Sequence, residues 1–212
     1  MSKENEITVY ETTGFPNPAR IRAALAEKNA LSSVTFVEVD VMNKEHRTES
    51  FYAKNPLGTV PVMKTAEGEY LSESTAITEY IDHHFDGPSL TGSSAIERGR
   101  IHMMQRRAES MVMDAVGAWF HHGTEGLGPD LEVNPCPEWG QKQHAVATEG
   151  MRYFNEVLSK STYVAGEGFS MADITLFYGL AFADFASVAI PTEYHHLIEW
   201  RERMAKRPSL AS

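Results

Sequence analysis

Asn55-Pro56-Leu57-Gly58-Thr59-Val60-Pro61-Val62 is the stretch of sequence that decides the fold of this chain. It predicts a loop followed by a strand that begins at Pro61, although a proline inside an apolar run normally removes a hydrogen bond from a sheet. A proline that follows a valine at a strand entrance is a candidate for a cis peptide bond. Such a bond would leave the backbone of Val60 open to pair with an extended peptide.

The residues after this stretch predict a hairpin and then a helix. A turn at Glu67-Gly68 joins strands predicted over residues 61–64 and 70–71. A helix follows over residues 75–84, with a small hydroxyl as its cap. Free N–H groups at a helix start can hold the charged end of a small peptide. The Glu73-Ser74 pair at this helix start is therefore a candidate binding site.

The residues before this stretch predict a strand, a helix and a second strand. The strands cover residues 7–10 and 34–39, and the helix covers residues 19–28, with Asn17-Pro18 supplying its N-cap and first helical residue. Residues 43–54 are polar and predict an irregular segment with a short helical turn. The order βαβ followed by ββα predicts an α/β domain with a mixed four-stranded sheet.

A change of composition at Asp86-Gly87-Pro88-Ser89 indicates a domain boundary. We expect a first domain over residues 1–86, a linker over residues 87–94, and an all-helical domain over residues 95–212. Four helices are predicted in the second domain, over residues 96–122, 138–158, 172–183 and 193–206. The glycines and prolines of loop 123–137 exclude a helix there, and Ser170-Met171-Ala172-Asp173 predicts a capping box.

Composition limits the possible functions. The chain has 212 residues, 42% of them hydrophobic, and a formal charge of −10, which argues against binding to nucleic acid. Residues 1–6 are polar and no apolar stretch is long enough to cross a bilayer, so we expect neither a secretory segment nor a membrane partner. Cys136, the single cysteine, cannot form an internal disulfide, which favours a cytoplasmic location. We expect no metal, because no cluster has zinc-ligand spacing.

These motifs together resemble the glutathione S-transferases. The resemblance rests on residues 7–10, the helical run 19–25, the Val60-Pro61 and Glu73-Ser74 pairs, and residues 169–174, so it covers nearly the whole chain. It implies a thioredoxin-like N-terminal domain and an all-α C-terminal domain. The chain resembles the branch that includes fungal-type and bacterial enzymes with Asn-Pro-Ala-Arg at the first helix.

The resemblance implies by position which residues bind glutathione. Glu73 would accept the γ-glutamyl ammonium group, and Ser74 would donate to the γ-glutamyl carboxylate. The backbone of Val60, ahead of Pro61, would pair with the cysteinyl unit. A serine before a helix is more often only a cap, but its place in this ordered set of motifs favours binding.

The far end of glutathione would lie against a basic pair. His46 and Arg47 would face the glycine carboxylate, where related plant-type members carry a histidine and a lysine. Thr59 lies where many relatives carry a glutamine, so its contact with glutathione follows less directly from the resemblance. The alternative for Arg47 is an ordinary solvated side chain.

The residue that activates the glutathione thiol does not follow the family pattern. A free thiol has a pKa of ~8.5, so an enzyme must raise its thiolate fraction. Family members use a tyrosine, serine or cysteine in the loop after the first strand. Here that loop, residues 11–18, has no serine or cysteine, and the activating position falls near Phe15 or Pro16, which cannot donate a hydrogen bond.

Three residues are candidate catalytic groups in place of the missing hydroxyl or thiol. The hydroxyl of Thr13 and the side-chain N–H of Asn17 could donate to sulfur beside the positive end of the first helix. His121, at the end of the first long helical pattern, could orient a water that takes the thiol proton. The alternatives are local turn bonding for Thr13, an N-cap for Asn17, and complementation of the helix dipole for the histidines.

An apolar pocket for an electrophile is predicted from aromatic and methionine side chains. Its expected members are Phe15, Met113, Trp119, Phe120 and His122. Loop 123–137 could cover this pocket as a lid and shield a thiolate from water. Methionines at helical spacing are alternatively core or subunit contacts.

The sequence therefore predicts a cytoplasmic, homodimeric glutathione S-transferase, acting in detoxification, that conjugates glutathione as co-substrate to small apolar electrophiles. One alternative is a glutathione-dependent reductase, peroxidase, or ether- or disulfide-cleaving enzyme, because a positioned thiolate can also attack sulfur. An alternative of another class is a non-catalytic glutathione-binding or assembly module. The Glu73-Ser74 pair disfavours the last alternative, since a scaffold needs no anchor for a tripeptide.

Overall fold

The computed structural model of the protein describes residues 6–211. Two compact units divide the chain, the first ending at Leu90 and the second beginning at Thr91. The sequence prediction that residues 1–6 form no secretory segment falls mostly outside the described residues. No helix within the described part of the chain is both long and apolar enough to cross a membrane.

The first unit has the predicted βαβ–ββα order. Its elements are β1 (Thr8–Glu11), α1 (Pro16–Glu27), β2 (Thr35–Glu38), α2 (Glu49–Tyr52), β3 (Val62–Lys64), β4 (Tyr70–Ser72) and α3 (Ser74–His84). The four strands form one sheet in the order β2-β1-β3-β4. β1 is parallel to β2 and antiparallel to β3, and β3 is antiparallel to β4. The mixed four-stranded sheet is thus confirmed.

Alternation along β3 gives the sheet two apolar faces. Val62 packs in a buried cluster with Phe51 of α2, while the neighbouring Met63 points to the opposite face. Helices α1 and α3 pack against each other, and their apolar residues Ile21 and Ile77 are fully buried. This packing brings the first turns of α1 and α3 together at the end of the sheet where the candidate binding residues lie.

The starts of both helices differ from the sequence prediction. α1 begins at Pro16, and its N-cap is Phe15, so the prediction that Asn17 caps the helix is wrong. Two prolines fit in the first turn because the N–H groups at these positions have no partner within the helix. α3 begins at Ser74 after Glu73, without a side-chain cap bond, so the predicted hydroxyl cap is also wrong.

The second unit is helical. Its elements are α4 (Ala95–Ala108), α5 (Asp114–Gly123), α6 (Leu127–Asp130), α7 (Pro137–Leu158), α8 (Met171–Phe185) and α9 (His195–Met204). A π-helical segment, Glu109–Met113, joins α4 to α5, so the predicted helix over residues 96–122 is helical throughout. The prediction that no helix forms in loop 123–137 is wrong, since α6 makes one turn there.

Glycines allow the helices to approach the π-helical segment closely. A Cβ atom placed on Gly150 of α7 would lie 2.4 Å from the backbone oxygen of Met111. A Cβ atom on Gly179 of α8 would lie 3.1 Å from Cγ1 of Val112. A larger residue at position 150 would therefore push α7 away from the π-helical segment.

The predicted capping box at the start of α8 is confirmed. The backbone N–H of Ser170 donates to Oδ2 of Asp173 at 3.0 Å, and the Ser170 hydroxyl accepts from the N–H of Ala172 at 3.3 Å. The other carboxylate oxygen of Asp173 accepts from the N–H of Val164 at 2.9 Å and from Nε1 of Trp200 at 3.3 Å. Burial raises the pKa of Asp173 to about 6, while these donors act against the rise.

Candidate functional site

The peptide bond between Val60 and Pro61 is cis, as the sequence predicted. Val60 precedes β3 and packs, together with Phe15, against the buried cluster that contains Phe51 and Val62. Within residues 6–211, no hydrogen bond uses the backbone N–H or C=O of Val60. An extended peptide could therefore pair with Val60 beside Phe15.

Asn55 holds the loop that leads to Val60. This residue is 1% exposed, and its Nδ2 donates to the backbone oxygen of Thr59 at 3.0 Å and to the Thr59 hydroxyl at 2.9 Å. Its Oδ1 accepts from the N–H of Leu57 at 3.1 Å. Thr59 itself is exposed, so its side chain remains reachable by a ligand.

His46 and Arg47 lie in a short 3₁₀ helix, Glu45–Arg47, that packs on this loop. A Cβ atom on Gly58 would lie 2.8 Å from the backbone oxygen of His46, so the loop passes very close to the helix. Nη1 of Arg47 donates to the oxygen of Leu57 at 3.3 Å. Nδ1 of His46 is buried and has no hydrogen-bond partner among residues 6–211. Burial, followed by the Arg47 charge, lowers the pKa of His46.

The Glu73-Ser74 pair lies at the start of α3, as expected. Glu73 is exposed and has φ 67° and ψ 118°, a backbone conformation that costs energy for a residue other than glycine. Ser74 is 5% exposed, and its hydroxyl donates to the backbone oxygen of Asn17 over a long distance of 3.5 Å. The start of α3 is therefore next to the start of α1.

Thr13 is tied to the neighbouring strand. Its backbone N–H donates to Oε1 of Glu38 at 3.0 Å, and its hydroxyl donates to Oε2 of the same carboxylate at 2.7 Å. The hydroxyl of Thr12 donates to the backbone oxygen of Val39 at 2.7 Å. Both hydroxyl protons are donated within the protein, which disfavours Thr13 as a donor to a thiolate.

Asn17 has the available donors at the start of α1. Pro16 and Pro18 have no N–H, so Asn17 supplies the one backbone N–H in the first three helical positions, and helix geometry leaves it unpaired. Oδ1 of Asn17 accepts from Nη1 of Arg20 at 2.9 Å. No hydrogen bond of the residues that the structure describes uses Nδ2 of Asn17.

Arg20 is a polar residue of this region that sequence reasoning missed. It is 4% exposed, and besides Asn17 it reaches the hydroxyl of Thr75 in the first turn of α3, with Nη2 3.4 Å from Oγ1. The only signal in the sequence is the spacing of three between Asn17 and Arg20, which places both side chains on one side of a helix.

The adjacent histidines at the end of α5 bind the loop that follows. Nδ1 of His121 lies 3.3 Å from the backbone oxygen of Gly128 and must carry the hydrogen, because a carbonyl oxygen only accepts. Nδ1 of His122 accepts from the N–H of Cys136 at 3.1 Å, so in the neutral ring the hydrogen is on Nε2, 4.0 Å from Glu132. The two neutral rings therefore have opposite tautomers, and His121 has its lone pair on Nε2.

Two of the predicted pocket residues have roles in packing. Met113 is 3% exposed and lies in the core of the second unit, which disfavours its expected place on a pocket wall. Nε1 of Trp119 donates to the oxygen of Ala186 at 3.0 Å, and its ring meets His144 edge-on with centroids 4.9 Å apart.

Phe120 belongs to a group of aromatic rings on the second unit. Its ring centroid is 5.6 Å from that of Phe182 and 5.5 Å from that of Phe185. Phe185 is 66% exposed, so this group presents an aromatic surface. Gly128 abuts the backbone of Phe120 so closely that an added Cβ atom would lie 1.9 Å from its oxygen, which holds the expected lid loop against α5.

The expected site residues thus fall into two sets. The first unit gathers the residues predicted to hold glutathione, with Asn17 beside Ser74 and Phe15 beside Val60. The remaining candidates, His121, His122, Trp119 and Phe120, lie in the second unit. Among residues 6–211 no group of three or more histidine, cysteine, aspartate or glutamate side chains is arranged to hold a metal ion.

Comparisons with known proteins agree on one family. A family model described as "Glutathione S-transferase, N-terminal domain" matches residues 5–83, and one described as "Glutathione S-transferase, C-terminal domain" matches residues 141–208. Glutathione S-transferase 2 of Saccharomyces cerevisiae is 48% identical over 207 residues, which cover 98% of this chain and 89% of that protein.

Solved structures have the same fold. The crystal structure of a glutathione S-transferase domain-containing protein from Marinobacter aquaeolei VT8 is 57% identical with a TM-score of 0.93, and covers 96% of this chain and 99% of that chain. The crystal structure of Gtt2 from Saccharomyces cerevisiae is 48% identical with a TM-score of 0.92, and covers 96% of this chain and 98% of that chain.

Proposed function

The chain belongs to the glutathione S-transferase family and is a glutathione transferase, and we propose that its first unit binds glutathione for conjugation to small apolar electrophiles. The observation that carries this proposal is the unpaired backbone of Val60 directly ahead of Pro61. The cysteinyl unit of glutathione would add to Val60 as a short antiparallel strand, which places its thiol beside Phe15 and the start of α1.

The two ends of the tripeptide would then meet charged or donor groups. The γ-glutamyl carboxylate binds at the start of α3, where Ser74 has a hydroxyl and a backbone N–H, and Glu73 accepts from the ammonium group. The glycine carboxylate binds at His46 and Arg47. The unpartnered Nδ1 of His46 supports this assignment, since a buried polar atom without a partner costs free energy until a ligand supplies one.

For thiol activation we favour Asn17 over Thr13. The Thr13 hydroxyl already donates to Glu38, whereas Nδ2 and the backbone N–H of Asn17 are available beside the positive end of α1. Hydrogen bonds to a thiolate stabilise the charged form and lower the thiol pKa. His121 remains a second candidate because its Nε2 can accept a proton.

The electrophile and the biological setting are also part of the proposal. Phe15 in the first unit and Phe120 in the second unit each keep a partly exposed ring, which suits contact with an apolar molecule, whereas Met113 is buried. We further propose that the enzyme is a homodimer in the cytoplasm and acts in detoxification, as the family resemblance implies. Sedimentation of the purified protein tests the dimer.

Binding of glutathione tests the central proposal. Millimolar glutathione should raise the melting temperature, because a ligand that binds only the folded state stabilises it. Cysteinylglycine, which lacks the γ-glutamyl unit, is the matched control and should stabilise much less. Equal stabilisation by both peptides, or none by either, would remove the basis for the proposed anchor at Glu73 and Ser74.

The ultraviolet thiolate absorbance separates catalysis from simple binding. Bound glutathione should show a larger thiolate fraction at neutral pH than free glutathione. A bound thiol that titrates like the free one would favour the non-catalytic binding module. Product analysis with an aryl halide and with a disulfide separates conjugation from reduction.

A further inference from the structure

A buried arginine lies beneath the first turn of α1, and none of the proposed glutathione contacts uses it. Arg20 is 4% exposed, although burying a guanidinium group costs more free energy than burying an apolar side chain of similar size. Its Nη1 lies 2.9 Å from Oδ1 of Asn17, and its Nη2 lies 3.4 Å from Oγ1 of Thr75. The guanidinium group thus connects the first turn of α1 to the first turn of α3.

The contact with Asn17 fixes which way its amide points. A guanidinium group only donates hydrogen bonds, so the amide oxygen must face Arg20 and the NH₂ group must face away from it. Without Arg20 the amide is free to turn round and present its oxygen where Nδ2 now points. An oxygen in that direction would repel a thiolate and raise the thiol pKa, whereas an N–H lowers it.

Helix α3 contacts both Arg20 and Asn17. Thr75 follows Ser74, whose hydroxyl donates to the backbone oxygen of Asn17 at 3.5 Å. Asn17 is thus held by Arg20 at its side chain and by α3 at its backbone. The planar guanidinium group reaches Asn17 and Thr75 at once through two different nitrogen atoms, a geometry that a single amine does not offer.

We propose that Arg20 is a positioning residue for thiol activation, which keeps the N–H end of the Asn17 amide turned toward the sulfur of bound glutathione. The inference rests on the proposed function, because it requires glutathione bound with its sulfur at the start of α1. In this arrangement Arg20 contacts neither glutathione nor the electrophile. It determines whether Asn17 presents its amide nitrogen or its amide oxygen to the sulfur.

A double-mutant cycle on the pKa of bound glutathione tests the role of Arg20. The variants are Arg20→Met, Asn17→Ala and the double variant, and the readout is thiolate absorbance against pH at saturating glutathione. Each single change should raise the pKa of the bound thiol by about 1, the size expected for losing one hydrogen bond to an anion. The double variant should show the same rise as either single variant, because both changes remove the same N–H.

Arg22→Met is the matched control on the same helix. Arg22 pairs with Glu11 and makes no contact with Asn17 among the residues that the structure describes, so this change should lower stability without moving the thiol pKa. If Arg20→Met does not fold, Arg20→Leu, which likewise supplies no donor to Oδ1 of Asn17, is measured against the same criteria.

The possible outcomes separate this inference from the proposed function. An unchanged thiol pKa in Arg20→Met, or rises that add in the double variant, would overturn the positioning role while leaving glutathione binding intact. A failure of the unaltered protein to bind glutathione would instead overturn the proposed function. Weaker binding or a lower melting temperature in Arg20→Met with a normal thiol pKa identifies a purely structural residue and overturns the inference.

Discussion

Nδ1 of His121 lies 3.3 Å from the backbone oxygen of Gly128. This contact gives His121 a structural role in holding the loop after α5, and at the same time leaves Nε2 of the neutral ring as a proton acceptor. Any substitution at this position therefore has to separate the two roles.

The substitution His121→Asn separates the structural role from the proton-accepting role. The Nδ2 atom of asparagine can replace Nδ1 of the histidine as donor to Gly128, whereas no asparagine atom replaces Nε2. If His121 takes part in thiol deprotonation, His121→Asn should lower kcat/KM at neutral pH at least tenfold and change the pH–rate profile. His121→Ala should in addition loosen the loop, seen as faster proteolysis after Gly123. A wild-type pH–rate profile in His121→Asn would exclude His121 from the mechanism.

Ser74→Ala should weaken glutathione binding without changing the bound thiol. The change removes one hydroxyl donor to a carboxylate, so the dissociation constant should rise about tenfold or more. The pKa of the bound thiol should stay the same, because the proposed contact of Ser74 is with the γ-glutamyl carboxylate, far from the sulfur. Isothermal titration and thiolate absorbance measure the two quantities.

Thr78→Val is the control for Ser74→Ala. Thr78 is on the same helix, is 4% exposed, and donates its hydroxyl to the backbone oxygen of Ser74 at 2.8 Å. Its loss should lower stability and leave glutathione affinity unchanged. Equal losses of affinity in both variants would mean that α3 is merely distorted, which contradicts a direct contact from Ser74.

Glutathione affinity should depend on pH through His46. Burial, followed by the Arg47 charge, keeps the pKa of His46 below its ordinary value, so the free ring is neutral at pH 7. A carboxylate bound beside the ring favours the protonated form, so affinity should increase as pH falls from about 8 toward about 5. S-methylglutathione is the probe, since it has no thiol to titrate.

His46→Asn provides the comparison, because Asn keeps a polar atom near the place of Nδ1 but does not titrate in this range. Its affinity for S-methylglutathione should be flat with pH and should match the unaltered protein at the alkaline end. A persisting increase at low pH in His46→Asn would assign the effect to another group.

Asp173 should make stability fall as pH rises through the acid range. Its folded-state pKa of about 6 exceeds the ordinary value of 3.8, so its favourable contribution is complete below that value and is lost as pH rises to about 6. Asp173→Asn does not titrate and places an amide nitrogen against N–H donors, so it should be less stable. Its deficit should shrink by on the order of 3 kcal/mol across this range.

Urea unfolding at a series of pH values measures this difference. Asp184→Asn, a change of an exposed carboxylate that pairs with Arg201 at the other end of α8, is the control and should show no such shrinking deficit. A deficit of Asp173→Asn that grows with pH would mean that the hydrogen bonds from Val164, Ser170 and Trp200 outweigh burial.

Much of the fold was predictable because its signals are local. The Val60-Pro61 pair, the turn at Glu67-Gly68 and the Ser170–Asp173 capping box each depend on a few neighbouring residues, and the structure confirms all three. The start of α1 was misassigned because Asn17 and two prolines all suit a helix start. Nothing local distinguishes a helix that begins at Pro16 from one that begins at Pro18.

The parts of the site that escaped prediction depend on distant residues. The hydroxyl of Thr13 is occupied by Glu38, which belongs to a different strand. Arg20 is buried because α3 covers it, and sequence alone gives a helical arginine no reason to be buried. Tertiary contacts thus decided which of the predicted donors remain available.

The π-helical segment Glu109–Met113 sets the direction in which α5 presents its side chains. An α-helix turns about 100° per residue, so one extra residue in a wide turn rotates everything after it by about that angle. Deleting a single residue from this segment would swing Phe120 and His121 about a quarter of a turn around the helix axis and away from Gly128. The shortened chain would keep every aromatic and imidazole group in its sequence, but those of α5 would lie on a different face of the helix.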